Sequence, residues 1–409
     1  MKRSRLWIAA IVVVISISVM VAWRFLGPSS TEHPSFAGAD QVVLTLSGDP
    51  RTTLGFSWRT DTSVNSGTVR IHEIGGASRD INASFKTMDS SNASSVVNDP
   101  VVHRFSAVAD GLLPGRLYEY QVLAGDQAEP APWHAVRTAP LDKTEKFSFL
   151  YLGDVQVDVD EWGKRYEALV TTYPDSRFAV FTGDLVDNGG VRATWDQVFA
   201  SAPEAFATLP IVPAVGNHET FGGGAALFDL MYLLPIDAST TQRRVYAFEY
   251  GSLFMAVLDS TDRDCIEEQT AWLDRRLAAS DAIWKVVVFH HPVWSPAPRR
   301  DNDWLREALV PVFDRHRIDL VLTGHDHSYA RTWPLRGGSR ADGGTVYCVA
   351  NAGGKHYQVQ PRPVFEKIQA DVSTFQVVSV SSDRLVYESR TWDDVLIDRF
   401  ERTRTVPAL

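Results

Sequence analysis

The chain has 409 residues, a formal net charge of −10 and 44% hydrophobic residues. That length suggests two or three domains with ample core. The acidic balance argues against a duplex-nucleic-acid surface, which needs a basic face, so an anionic substrate must be drawn in by local charge, with metal ions the obvious source.

In chain order, Lys2, Arg3 and Arg5 precede an uncharged apolar run, Leu6–Trp23, closed by Arg24. The run is near the lower limit for crossing a bilayer and longer than most signal-peptide cores. Its flanks predict an uncleaved N-terminal transmembrane helix, a signal anchor over residues 1–26, with the basic end in the cytoplasm. The alternative is a secretory peptide cut near Gly27–Ser30. Either way the remainder is expected outside the cytoplasm, anchored to the membrane or released. Residues 27–38 read as a Pro/Ser/Gly linker. The cysteines, Cys265 and Cys348, form no C-x-x-C pattern, and Cys348 sits in an apolar strand as a buried thiol would.

Residues 39–140 contain short alternating runs, among them Val42–Gly48, Leu54–Thr60, Gly67–Ile74, Val101–Leu112 and Tyr118–Gly125, separated by Gly, Pro, Asp and Ser. This spacing predicts an antiparallel β-sandwich. Residues 145–405 change character. Apolar strands alternate there with helical stretches at Trp162–Thr172, Trp195–Phe206, Glu267–Ala279 and Trp304–Arg317, as crossover connections require. The fold class expected is an α/β sandwich of mixed β-sheets flanked by helices, preceded by the all-β sandwich. Phe375–Ser382 and Arg384–Thr391 read as a closing hairpin.

Five apolar runs end in residues that ligate metals: Phe147–Gln156, Phe178–Asp187, Pro210–Glu219, Lys285–Pro292 and Leu320–His327. Buried parallel strands read this way, and open α/β sheets hold ligands beyond their carboxyl ends. Asp154, Asp184, Asn217, His290, His325 and His327 are therefore expected to converge on one edge of one sheet. Such a mixture of carboxylates, an amide and imidazoles suits two hard or borderline cations. Asp184 is the candidate bridge, with Asp154 and His327 on one cation and Asn217, His290 and His325 on the other.

The order GD, GD, GNHE, H and GHDH resembles the calcineurin-like metallophosphoesterases. Gly324–Pro334 and the strands of residues 40–140 resemble the purple acid phosphatase branch with its fibronectin-like N-terminal domain. The resemblance implies a metallophosphoesterase: hydrolysis of phosphomonoesters, with a metal-bound hydroxide attacking phosphorus, two ions (Fe, Mn or Zn), and His218 as the acid that contacts the phosphate and protonates the leaving group. Glu219 is expected to orient His218. Two positions depart from the branch. Asp187 stands where its iron-ligating Tyr would be, which removes the basis for a purple chromophore or a firm ferric preference. Gln156 stands where Gly is usual, and its side-chain oxygen is expected to join the first cation. Arg299 and Arg300 replace a His pair and are candidate clamps on the substrate phosphate. The rival readings are a phosphodiesterase acting on nucleotides or lipid head groups, and an extracellular binding protein with a degenerate enzyme domain.

Overall fold

A computed structural model describes residues 30–90, 96–125, 131–235, 237 and 239–405. The predicted membrane-spanning segment lies outside the described residues; among the described ones no helix is long and apolar enough to cross a membrane.

Two sheets face one another. The first has ten strands, with Leu396–Thr403, Arg384–Thr391 and Thr374–Val380 on one side of Phe147–Leu152, Ser176–Phe181 and Ile211–Pro213. Phe147–Leu152, Ser176–Phe181 and Ile211–Pro213 run parallel. The second has seven strands, and Leu253–Val257, Trp284–Val288, Leu320–Thr323 and Val346–Val349 form its parallel centre. Every residue of Phe147–Leu152 and of Leu320–Thr323 is buried. Strand alternation sends one set of side chains between the sheets, where Phe149, Tyr151, Phe178 and Val180 meet Val257, Val286, Val288 and Leu322. The opposite set faces helices. Leu150, Leu152 and Phe181 pack on Trp162, Tyr166, Trp195 and Phe206, while Phe254, Val287 and Val321 pack on Trp272, Leu273, Leu309 and Phe313. Each such aliphatic or aromatic side chain contributes about 1.5–3 kcal/mol by leaving water.

The expected single sheet is thus two. Asp154, Asp184 and Asn217 follow strands of the first sheet, and His290, His325 and His327 follow strands of the second. A parallel strand buried on both faces has the same apolar pattern in either sheet, so the pattern does not assign it. The predicted helices form at Val159–Thr172, Ile266–Ala278 and Asp303–His316, but the second breaks into Arg192–Ser201 and Pro203–Thr208. Pro203 starts a new helix because it lacks the N–H needed to continue the old one. The closing hairpin forms, and Thr374–Val380 pairs antiparallel with Phe147–Leu152. The hairpin Tyr246–Tyr250 with Leu253–Val257 has no counterpart among the predicted elements.

The N-terminal sandwich packs Leu44, Phe56, Trp58 and Phe105 against Ile71, Tyr120 and Val122. One of its sheets is not separate. Asp40–Thr45 pairs parallel with Ile211–Pro213, so sandwich strands extend the first sheet of the α/β layers. Buried ion pairs reinforce the junction: Asp196 Oδ1 accepts from Arg59 Nη1 at 2.8 Å and from Gln41 Nε2 at 3.0 Å, and Asp196 Oδ2 accepts from Arg192 Nε at 3.2 Å. Part of the expected linker is also docked, since Thr31 N–H donates to Asn98 Oδ1 at 3.0 Å and Ser35 N–H to Asp99 Oδ2 at 2.9 Å. Cys348 is buried between the sheets and Cys265 lies elsewhere; both are free thiols.

Candidate metal centre

At the carboxyl ends of the paired sheets the chain turns sharply. Asp154, Asp184, His325 and His327 all adopt positive φ, at 57°, 56°, 72° and 43°. Side chains with a Cβ occupy this region at a cost of about 1–3 kcal/mol each, so surrounding contacts must hold them there. The turns hold one another. Asp154 N–H donates to the Gly183 carbonyl at 3.1 Å, Val155 N–H to the Asp184 carbonyl at 2.9 Å, and Gly324 N–H to the His290 carbonyl at 3.0 Å. His325 N–H lies 2.8 Å from both carboxylate oxygens of Asp154. Gly183 has φ 91°, and a Cβ there would meet Gly216 Cα at 2.6 Å, so the close approach of two motif turns requires it.

The side chains gather in two groups. Asp154, Asp184 and His327 present ligand atoms within 4.8 Å of one another, and so do His290, His291 and His325. Asn217 Oδ1 lies 3.0 Å from both His290 Nε2 and His325 Nδ1, which places it in the second group. Asp184 Oδ2 stands 3.3 Å from His290 Nε2. Asp184 therefore touches both groups, as a bridging ligand must. His290 Nδ1 donates to the Thr182 carbonyl at 2.8 Å, which leaves Nε2 aimed inward and available as a ligand once deprotonated.

The electrostatics fit cations. Burial opposes charge on Asp184, but His290, by charge and by hydrogen bond, and then His218 hold its pKa at about 2. Burial works against charge on His290 too, yet Asp184 and then Asp154 raise it to about 10. Burial and the His290 charge lower His291 to about 3. Burial followed by the Lys355 charge lowers His327 to about 3. Burial, His290 and His291 likewise push His325 far down. The lowered imidazoles are held neutral with lone pairs free, which is the form that binds metal. Gln156 Oε1 and His327 Nδ1 are buried without a hydrogen-bond partner. The Gln156 amide nitrogen lies 3.3 Å from His327 Nε2. Rotating the amide exchanges its oxygen and nitrogen and turns Oε1 toward His327. That would put an amide oxygen beside the first group.

The other expected residues divide. His218 Nε2 is 4.0 Å from Asp184 Oδ2, and its Nδ1 donates to the Asp187 carbonyl at 2.7 Å. Asp187 thus acts through its backbone; its half-exposed carboxylate lies 3.6 Å from the same ring nitrogen. Glu219 does not orient His218. Its fully buried carboxylate accepts the N–H groups of Asp184, Leu185 and Gly216 at 2.8, 2.7 and 2.8 Å, which fixes the Asp184 turn. Arg299 is exposed at φ 63°, with no hydrogen bond or ion pair tying it to the ligands among the described residues. Arg300 binds Asp326 Oδ1 at 2.7 Å and the His325 carbonyl at 3.2 Å, so it braces the GHDH turn instead of standing free for a phosphate. Asp326, between two ligands, also accepts from Ser295 at 2.5 Å. The sequence pattern passes over it, since a charged residue in a polar turn reads as solvated. His291 meets the Ser260 hydroxyl at 3.0 Å through Nδ1.

Two facing α/β layers with two groups of candidate metal ligands at their carboxyl ends define the metallophosphoesterase fold. Residues 147–329 match the calcineurin-like phosphoesterase family, and residues 39–139 match the purple acid phosphatase N-terminal domain. The segment that matches the phosphatase N-terminal domain therefore precedes the segment that matches the phosphoesterase family.

An uncharacterized protein of Mycobacterium tuberculosis is 31% identical over 176 residues, covering 36% of this chain and 33% of that protein. The chain thus spans about a third of the length of the first such relatives. Probable purple acid phosphatase 20 of Arabidopsis thaliana is 22% identical over 400 residues, covering 91% and 88% of the two chains. Among solved structures, purple acid phosphatase PPD1 from yellow lupin (Lupinus luteus) superposes with a TM-score of 0.77 at 17% identity, over 91% of this chain and 75% of that one.

Proposed function

We propose that this protein is an exported, metal-dependent phosphoesterase that hydrolyses phosphomonoesters. The observation that carries it is the position of Asp184, shared between the carboxylate-rich group and the His290, His325 and Asn217 group. Bound cations at these groups would neutralise phosphoryl oxygens and lower the pKa of water in the site. Asp154, Gln156, Asp184 and His327 would hold one, and Asp184, Asn217, His290 and His325 the other. Fe, Mn and Zn all suit these ligands, and with Asp187 in place of a phenolate nothing selects ferric iron.

His218 supplies the proton. Its Nδ1–H is committed to the Asp187 carbonyl, so Nε2, the ring nitrogen nearest Asp184, is the one that can carry a proton to the leaving oxygen. The carboxylates of Asp184 and Asp187 lie 4.0 and 3.6 Å from its ring nitrogens and hold the ring beside the site, where it can pass a proton to the leaving oxygen. Export and tethering rest on the Leu6–Trp23 run with its basic flank; partition of the protein into the membrane fraction with protease-accessible outer domains tests them.

The test of activity is metal content together with turnover of an aryl phosphate monoester and a diester by the purified full-length chain, before and after loading with Fe, Mn or Zn. Two metals per chain, with monoester turnover that Asp184→Asn abolishes, supports the assignment. Turnover of the diester alone moves it to a phosphodiesterase. No metal and no turnover leaves a binding protein.

A further inference from the structure

Beyond the strand Val346–Val349, residues 351–357 form a loop built against the ligand turns. Ala352 N–H donates to the Gly153 carbonyl at 2.7 Å, and Tyr357 N–H to the His327 carbonyl at 3.0 Å. Asn351 Nδ2 ties the loop to itself through the Gly353 and Lys355 carbonyls at 3.1 and 2.9 Å. A Cβ on Gly353 would collide with the Asp154 carbonyl, so the approach is as close as a backbone allows. The Tyr357 ring then packs on His327, centroids 4.6 Å apart, and Lys355 Nζ sits 5.3 Å from the Tyr357 ring centre.

Arg300 also faces the Tyr357 ring, at 5.1 Å, but Asp326 neutralises it. Lys355 forms no ion pair with any described residue. An aromatic face holds an ammonium in place without cancelling its charge. A half-buried, positioned and uncompensated cation beside the first ligand group has a natural counterpart in a substrate oxygen.

We propose that Lys355, seated on Tyr357, binds a phosphoryl oxygen of the substrate and favours doubly charged phosphomonoesters over singly charged diesters. This rests on the phosphoesterase reading above. A single positive charge attracts a dianion twice as strongly as a monoanion at the same distance. The ammonium is a compact point charge with three donors, suited to an oxygen already shared with other cationic groups.

The experiment compares the metal-loaded full chain with Lys355→Met and Lys355→Arg, reading kcat/KM for an aryl monoester and a diester and the Kd of inorganic phosphate. Lys355→Met is expected to lose about tenfold or more in monoester kcat/KM, mainly through KM, and to weaken phosphate binding by a similar factor. The diester rate should change far less, and Lys355→Arg should keep most of the monoester preference with an unchanged melting temperature. Turnover with an unaltered monoester-to-diester ratio and an unaltered phosphate Kd in Lys355→Met overturns the role of Lys355 alone. A wild-type chain that neither turns over an ester nor binds phosphate overturns it together with the phosphoesterase reading.

Discussion

Asp184 Oδ2 and His290 Nε2 lie 3.3 Å apart, a contact between residues that end strands in opposite sheets. Without a cation this pair is a carboxylate and an imidazolium, since burial is outweighed in Asp184 by His290, to about 2, and in His290 by Asp184, to about 10. Metal can take His290 Nε2 only by displacing its proton. Loading the metal-free protein at pH 7 should therefore release about one proton from His290, seen by titration calorimetry in buffers of different ionisation enthalpy. The sign follows: affinity rises with pH up to the His290 pKa of about 10 and falls toward acid. Binding that shows no buffer dependence would contradict this. At His327, lowered to about 3 with burial the first cause, protons should not compete with metal at mildly acid pH.

Glu219 receives three backbone N–H groups from the Asp184 and Gly216 turns, all within 2.8 Å. Glu219→Gln replaces one acceptor oxygen by a donor that faces another donor. A loss of about 1–3 kcal/mol in stability is expected in urea unfolding, with weaker metal retention because the Asp184 turn loosens. Equal stability and equal metal content in the variant would show that the turn is held by other contacts.

Arg300→Ala leaves the Asp326 carboxylate buried with Ser295 as its one side-chain hydrogen-bond partner among the described residues. Expected is a stability loss of about 1–3 kcal/mol and a fall in kcat/KM that accompanies loss of metal. A phosphate clamp would instead raise KM with metal content intact. In Arg299→Ala, which removes an exposed side chain, both quantities should stay near wild type.

The sandwich and the α/β layers share a sheet and a buried ion network centred on Asp196. Asp196→Ala deprives Arg59 and Arg192 of a partner and should cost about 3–5 kcal/mol, the range for breaking a buried pair. Both domains should still unfold in one transition, monitored by urea titration with limited proteolysis. Release of an intact α/β fragment before the sandwich unfolds would show that the shared sheet does not couple them. The network lies near the site, because Trp195 Nε1 donates to the Gly189 carbonyl at 2.9 Å and Gly189 N–H to the His218 carbonyl at 2.8 Å.

Much of the centre is legible in the amino-acid order. Apolar runs of strand length ending in Asp, Asn or His identify Asp154, Asp184, Asn217, His290, His325 and His327, and the structure brings all six together. Local pattern encodes strand burial and the chemistry at a strand's end, and both survive folding because each is a property of a few adjacent residues. The partners of Glu219, Arg300 and Asp187 are not legible in this way. Glu219 reads as a companion of its neighbour His218, yet its carboxylate serves Asp184, 35 positions away.

The sequence alone thus determined which residue types stand at the strand ends, in what order, and that an acidic chain must supply its own local positive charge. Only the tertiary structure decided that the strands divide between two sheets, that the sandwich extends one of them, and that Arg300 is spent on Asp326 while Lys355 has no carboxylate partner among the described residues. Contacts such as that of Asp154 with His325, 171 residues apart, depend on how whole layers pack, and no local periodicity carries that information.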